Sequence, residues 1–358
     1  MKQRILAFIY AERFSIVFFV VLCGIFIFLN IRQPRWHQNL TSSPYAAFLK
    51  VEKKFQNQLN TPEELRVFFS SQPALARIVF VYAGFFFLLF AAGVSVDVFL
   101  ILSKKFRGRV FKKQPSGPNL WGLGALLHVV VQGMAFSLLL NLILDMAWHF
   151  IPSLKEASET LFHTLLMDAG LAVLILREIH RHGGSWKNLG FDFQGRRAWR
   201  EAAFGAGGYA AVIPIFVVIL IILMAIAQWL SYEPEPHPLV GIFLNEDKRG
   251  QWMIGFSIFL ACVWGPFFEE FFFRGFCYPA LRKTLGPAGG GMMSAGFFAF
   301  IHHSEFAFVP ILVLGMGLAF LYERRGNLTA SVTLHILHNT VFIAYFFIAK
   351  EVMTAANK

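Results

Sequence analysis

The segment Gly265–Arg274 has the sequence GPFFEEFFFR, which places two adjacent carboxylates and one arginine in a run that is otherwise mostly phenylalanine. The residues on either side are also largely apolar, as in a helix that crosses a membrane. A charged side chain at the centre of a bilayer costs at least about 2.5–3.5 kcal/mol, so such residues are rare, usually paired and usually functional. This segment is therefore the first candidate for a functional site.

The composition of the whole chain is that of a membrane protein. Of its 358 residues, 56% are hydrophobic and 15% are charged, and the mean hydropathy is +0.57. Soluble domains average about 25% charged residues. The net charge of +11 comes from basic residues between apolar runs, a pattern typical of topology signals and of contacts with anionic lipid headgroups. We therefore expect a lipid bilayer around the protein and no nucleic-acid partner.

Apolar stretches along the chain predict an all-α polytopic membrane protein with about nine transmembrane helices, eight at the least. The predicted spans are residues 14–29, 78–102, 120–151, 161–176, 202–230, 252–281, 289–306, 309–322 and 328–349. Strongly basic loops follow the second and fourth spans, and the positive-inside rule then places the N-terminus in the cytoplasm.

The chain divides into two regions at about residue 200. Residues 1–200 form an N-terminal transmembrane region with an amphipathic surface segment near residues 45–70, in which Thr61-Pro62-Glu63-Glu64 has the cap, proline and acids that start a helix. Residues 201–358 form the helix bundle that holds the charged segment. Glycines near residue 205 allow the fifth span to approach its neighbours closely. We expect both regions to form one integral membrane unit.

Helical spacing assigns different roles to the two glutamates. Glu270 and Arg274 are four residues apart with the acid first, the favourable order for an ion pair. Glu269 points about 100° away and has no local partner, so it is the candidate general base. Pro266 cannot donate to the carbonyl of Cys262, which predicts a helix break, and such breaks usually line a cavity. The alternative is a helix end in the headgroup region.

Two later stretches carry histidines at helical spacing. Phe298 precedes His302 by one turn, and His335 and Asn339 share one helix face. An imidazole and an amide presented together can donate hydrogen bonds to a developing oxyanion. The same groups can instead hydrogen-bond a neighbouring helix.

Together the three stretches resemble the CAAX-protease and bacteriocin-processing (CPBP, or Abi) family of intramembrane endopeptidases. The family motifs EExxxR, FxxxH and HxxxN occur here in order, over roughly the last 100 residues. The resemblance implies that Glu269 activates a water that His302 helps to hold, and that His335 and Asn339 stabilise the oxyanion. Glu270, Arg274 and Phe298 would support the site. It also implies a membrane-associated protein or peptide substrate and, in a bacterium, the inner (plasma) membrane.

The resemblance leaves metal dependence open, because both metalloprotease and metal-independent glutamate mechanisms are argued for the family. Glu269, His302 and His335 could form a three-ligand zinc site with an open water position. The sequence has no HExxH helix, so neither mechanism is favoured.

A competing interpretation is a transporter or proton relay, because the third span carries a polar stripe. A proteolytically inactive membrane scaffold is a third interpretation, although every motif position is filled. The stripe consists of His128, Gln132, Asn141, Asp145 and His149, with Asp97, His163 and Asp168 in or near other spans.

Overall fold

A computed structural model describes residues 2–32, 61–110, 112, 119–150, 152–191, 195–232 and 251–356. Within these ranges every regular element is a helix. The first seven α-helices described are α1 (Lys2–Ala11), α2 (Arg13–Arg32), α3 (Pro62–Ser71), α4 (Pro73–Leu102), α5 (Lys104–Val110), α6 (Leu123–Phe150) and α7 (Pro152–Arg181). The next are α8 (Gly195–Trp229), α9 (Gln251–Phe259), α10 (Gly265–Glu270), α11 (Tyr278–Phe300), α12 (Glu305–Arg325) and α13 (Thr329–Ala356).

Six of the described helical segments are long and apolar enough to cross a membrane, which confirms the all-α polytopic membrane fold. The fourth predicted span lies within α7, which carries more polar and charged residues and is not one of the six. The count of nine and the cytoplasmic N-terminus therefore remain predictions. The six segments are Pro73–Leu102, Leu123–Phe150, Arg197–Trp229, Trp252–Phe300, Glu305–Arg325 and Thr329–Ala356, and the shorter Arg13–Phe28 is also apolar.

The helix start predicted at Thr61 is confirmed as the N-terminus of α3. The Thr61 hydroxyl accepts a hydrogen bond from the Glu64 N–H at 3.2 Å, and the Glu64 carboxylate accepts one from the Thr61 N–H at 2.9 Å. Pro62 takes the first helical position, where its missing N–H costs nothing. The amphipathic part of the prediction, residues 45–60, lies outside the described residues.

The segment Trp252–Phe300 contains the sixth and seventh predicted spans and reverses direction at Gly286. Gly286 has a φ of 73° and a ψ of 176°, a backbone conformation that is essentially restricted to glycine. After the reversal the Ser294 hydroxyl donates to the Phe273 carbonyl at 3.2 Å, and the Phe298 ring lies 5.1 Å from that of Phe273. The two halves are therefore antiparallel neighbours. The second half ends at Phe300, short of the predicted residue 306.

Close approaches at glycine fix α8 between α4 and α13. The backbone of Gly93 on α4 meets Ala210 of α8, and the backbone of Gly205 on α8 meets Ala330 of α13. Arg325, at the end of α12, donates two hydrogen bonds of 2.5 Å to the Glu201 carboxylate of α8. These contacts position α12 and α13, which hold two parts of the site described below.

We expect Gly205→Ala to destabilise the protein, because its Cβ would overlap the Ala330 carbonyl oxygen and lie 2.9 Å from the Thr333 Cβ. Overpacking of this kind typically costs about 1–3 kcal/mol. The matched control is Gly207→Ala on the same helix, where an added Cβ has no neighbour within 4 Å. Thermal unfolding in detergent should show a lower midpoint for the first variant only. Equal midpoints would contradict the close packing of α8 on α13.

Candidate active site

Both glutamates of the opening segment lie on α10, a six-residue helix between the π-helical turns Leu260–Trp264 and Phe271–Cys277. Such turns often occur at functional sites. The Glu269 side chain is 33% exposed, whereas the Glu270 side chain is completely buried. The two adjacent carboxylates therefore have different surroundings, as their helical spacing predicts.

The structure places Glu270 and Arg274 in a buried ion pair that connects three elements. Nη1 of Arg274 donates to Oε1 of Glu270 at 2.7 Å, and Nη2 donates to the carbonyl of Gly315 on α12 at 3.1 Å. The guanidinium carbon lies 4.6 Å from the centre of the Phe298 ring on α11, within cation–π range. An added Cβ at Gly315 would lie 3.4 Å from the guanidinium and 2.9 Å from the Ala295 Cβ, so the approach requires glycine.

His335, on α13, lies between the two carboxylates and is almost completely buried. Its Nδ1 is 3.0 Å from Oε1 of Glu270, and its Nε2 is 3.5 Å from Oε2 of Glu269. An ionised carboxylate can only accept hydrogen bonds, so the His335 Nδ1–H is the donor to Glu270. Glu270 thereby fixes the orientation of the imidazole, and the other ring nitrogen faces Glu269.

His302 is brought to the depth of Glu269 by the hairpin at Gly286. The ring of Phe273 contacts that of Phe298 across the two antiparallel helical halves. Glu269 lies four residues before Phe273 and His302 four residues after Phe298, on the same side of this contact. The Phe298 ring packs against the rings of His302 at 4.7 Å and His335 at 5.6 Å. Nδ1 of His302 donates to the Phe298 carbonyl at 2.6 Å, which leaves Nε2 as its outward nitrogen.

Asn339 lies one turn after His335 and uses one of its amide hydrogens within the protein. Its Nδ2 donates to the carbonyl of Ala261 at 2.8 Å, in the first π-helical turn. The side chain is therefore attached to the helix that carries the glutamates, an interaction that the motif spacing does not predict. Its second N–H is left for another acceptor.

Asp168 also reaches the site, from α7 and from outside the three motifs. Its carboxylate accepts a hydrogen bond from the Trp264 indole N–H at 3.0 Å and lies close enough to Glu269 for the two charges to interact. The Trp264 ring packs against that of Phe268 at 4.5 Å. An aspartate in an apolar stretch is a visible signal in the sequence, but its partner 96 residues away is not.

The possible zinc ligands do not assemble into a three-ligand site. Glu269, His302 and His335 all belong to the described part of the chain, in which no group of three His, Cys, Asp or Glu side chains is arranged to hold a metal ion. Nδ1 of His302 is bonded to a backbone carbonyl and Nδ1 of His335 to Glu270, so Nε2 is the remaining nitrogen of each imidazole. The zinc site therefore remains a prediction.

The polar stripe of the transporter interpretation does not line the bundle interior. Within the described ranges Asn141, Asp145 and His149 are exposed, and Gln132 is only partly buried. His128 is separate from them: its Nε2 is 2.8 Å from the Glu12 carboxylate and its Nδ1 is 3.4 Å from that of Glu178. The stripe is thus not a continuous path of buried polar groups.

Comparison with known proteins finds a family match for the segment that contains the motif residues. Residues 251–341 match the family model described as type II CAAX prenyl endopeptidase Rce1-like. The chain carries a CAAX-protease-family domain. This CAAX-protease domain contains Glu269, Glu270, Arg274, Phe298, His302, His335 and Asn339, whereas Asp168 lies outside it. No curated protein and no solved structure matches the chain.

Proposed function

We propose that the protein is an intramembrane endopeptidase that hydrolyses a peptide bond in a membrane-associated protein or peptide. The observation that carries the proposal is the pair of glutamates on α10. Glu270 is buried against Arg274, and the accessible Glu269 faces a ring nitrogen of His335. The family match supports a protease, and the apolar helices support an integral membrane location.

Glu269 is the general base of the proposed reaction. Its carboxylate accepts a proton from a water molecule, and the water oxygen forms a bond with the carbonyl carbon of the substrate. The tetrahedral intermediate then collapses as the C–N bond breaks, and Glu269 returns the proton to the leaving nitrogen. The outward nitrogen of His302 lies at the depth of Glu269, where it can hydrogen-bond the attacking water.

His335 is the main candidate to stabilise the oxyanion of the intermediate. In this role both ring nitrogens must carry a proton, so that Nδ1–H donates to Glu270 and Nε2–H, on the side of Glu269, donates to the oxyanion. A charged donor in a site shielded from water is worth far more than the same donor in solution. Glu270 and Arg274 act by holding this imidazole and α10 in place.

The substrate class is proposed at the level of a membrane-associated polypeptide. Prenylated CAAX proteins, leader peptides and other membrane-anchored proteins are all compatible with a site on a membrane helix. Comparing membrane proteomes from cells with wild-type enzyme and with an inactive variant would identify the proteins whose termini depend on the enzyme.

Purified protein in liposomes is expected to cleave a co-reconstituted membrane-anchored peptide, with products identified by mass spectrometry. The proposed reaction uses no metal, so cleavage should persist with chelator and without stoichiometric metal. If purified active enzyme contains one metal ion per molecule, and chelator removes both the metal and the activity, the metal-independent mechanism is wrong. Absence of cleavage, together with solute movement that depends on Asp145, would instead support transport.

A further inference from the structure

The helix that carries the catalytic candidates begins with a proline-induced gap in its hydrogen bonding. In the π-helical turn Leu260–Trp264 the Gly265 N–H donates to the Leu260 carbonyl, five residues earlier. In the same register the next donor would be the N–H of residue 266, and its acceptor would be the Ala261 carbonyl. Residue 266 is proline and has no N–H, so the Ala261 carbonyl has no helical donor.

An unsatisfied carbonyl is costly at this location. The Ala261 backbone lies in a segment that is long and apolar enough to cross a membrane, and within a bilayer an unpaired carbonyl costs several kcal/mol. Asn339 of α13 fills the gap, because its Nδ2 donates to the Ala261 carbonyl at 2.8 Å. The side chain thus supplies, from another helix, the hydrogen bond that Pro266 removes.

We propose that Asn339 is a positioning residue that holds the π-helical turn and thereby fixes where α10 directs Glu269. This inference rests on the proposed peptidase function and adds a role for Asn339 beyond the oxyanion. His335 lies one turn before Asn339 on α13 and faces Glu269 and Glu270. One face of α13 therefore sets both the start of α10 and the imidazole opposite Glu269.

The test is a double-mutant cycle on Pro266 and Asn339, because Pro266→Ala restores the backbone donor that Asn339 replaces. Asn339→Ala alone should lower the thermal midpoint by about 2–4 °C or more and the cleavage rate by up to about 100-fold, since misplacement of a catalytic group by about 1 Å has effects of that size. In the Pro266→Ala background the same substitution should cost less than half as much in both measurements. Asn339→Asp, which keeps the shape but loses the donor, should behave as Asn339→Ala does.

Pro310→Ala provides the control, because Pro310 is another buried proline within a helix of the bundle and should not change the cost of Asn339→Ala. An equal loss in both Pro266 backgrounds would overturn the proposal. Recovery of the midpoint with no recovery at all of the rate would also overturn it, since Asn339 would then affect the rate only through the oxyanion. The thermal midpoints do not depend on activity. If the wild-type protein cleaves no peptide, the proposed function fails, but the midpoints of the cycle still test whether Asn339 replaces the missing hydrogen bond.

Discussion

Glu269→Gln is expected to lower the rate of peptide cleavage by roughly 10²–10⁴-fold, the range that a positioned general acid–base group contributes. The amide keeps the size of the side chain but cannot accept the proton of the attacking water. Because Glu269 is one-third exposed and its closest charged contact is His335 at 3.5 Å, the fold should tolerate the change. Initial rates on a reconstituted membrane-anchored peptide are the measurement, with Glu269→Ala expected to give the same loss.

The matched control for this prediction is Glu351→Gln, an exposed glutamate in the last turns of α13. It should retain the wild-type rate, and both variants should keep the wild-type midpoint of thermal unfolding. Undiminished cleavage by Glu269→Gln would rule out the base proposed here. A loss of both activity and thermal stability would indicate that Glu269 has a structural role, as Glu270 does.

Local spacing in the sequence predicts much of the site. The Glu270–Arg274 pair follows from two residues four apart, and the shared face of His335 and Asn339 follows from the same rule. Both predictions need only the geometry of a single helix, and the structure shows the corresponding contacts. At Pro266 the helix does not break as predicted but continues through a π-helical turn, in which the missing N–H of proline falls opposite the Ala261 carbonyl and not that of Cys262.

What the sequence does not predict depends on register or on distant parts of the chain. The π-helical turns escape detection because the residues around them are mostly apolar, so an added residue leaves no break in hydrophobic periodicity. The contact of Asp168 with Trp264 joins helices 96 residues apart, which spacing cannot predict. The insertion of His335 between both glutamates depends on the placement of α13 against α10, which glycine and ion-pair contacts of α8 determine.

Arg274→Gln is expected to cause the largest loss of stability among the single substitutions proposed, because it removes the arginine partner of the buried Glu270 and leaves His335 as its remaining donor. Removing one member of a buried ion pair typically costs about 3–5 kcal/mol. The substitution also removes the hydrogen bond to the Gly315 carbonyl and the contact with the Phe298 ring. Thermal unfolding in detergent should show a much lower midpoint, and cleavage should fall because the support of His335 is disturbed.

Two further variants distinguish the effect of breaking the buried ion pair from the effect of removing any arginine. Arg66→Gln alters an exposed pair in which Arg66 and Glu63 are 3.9 Å apart, and exposed pairs contribute little, so the midpoint should not change. Glu270→Gln combined with Arg274→Gln removes both buried charges and should recover part of the midpoint that Arg274→Gln loses. It should not recover cleavage, because an amide at position 270 no longer holds the Nδ1–H of His335 as a carboxylate does. A double variant less stable than Arg274→Gln would show that the buried charge of Glu270 is not the source of the loss.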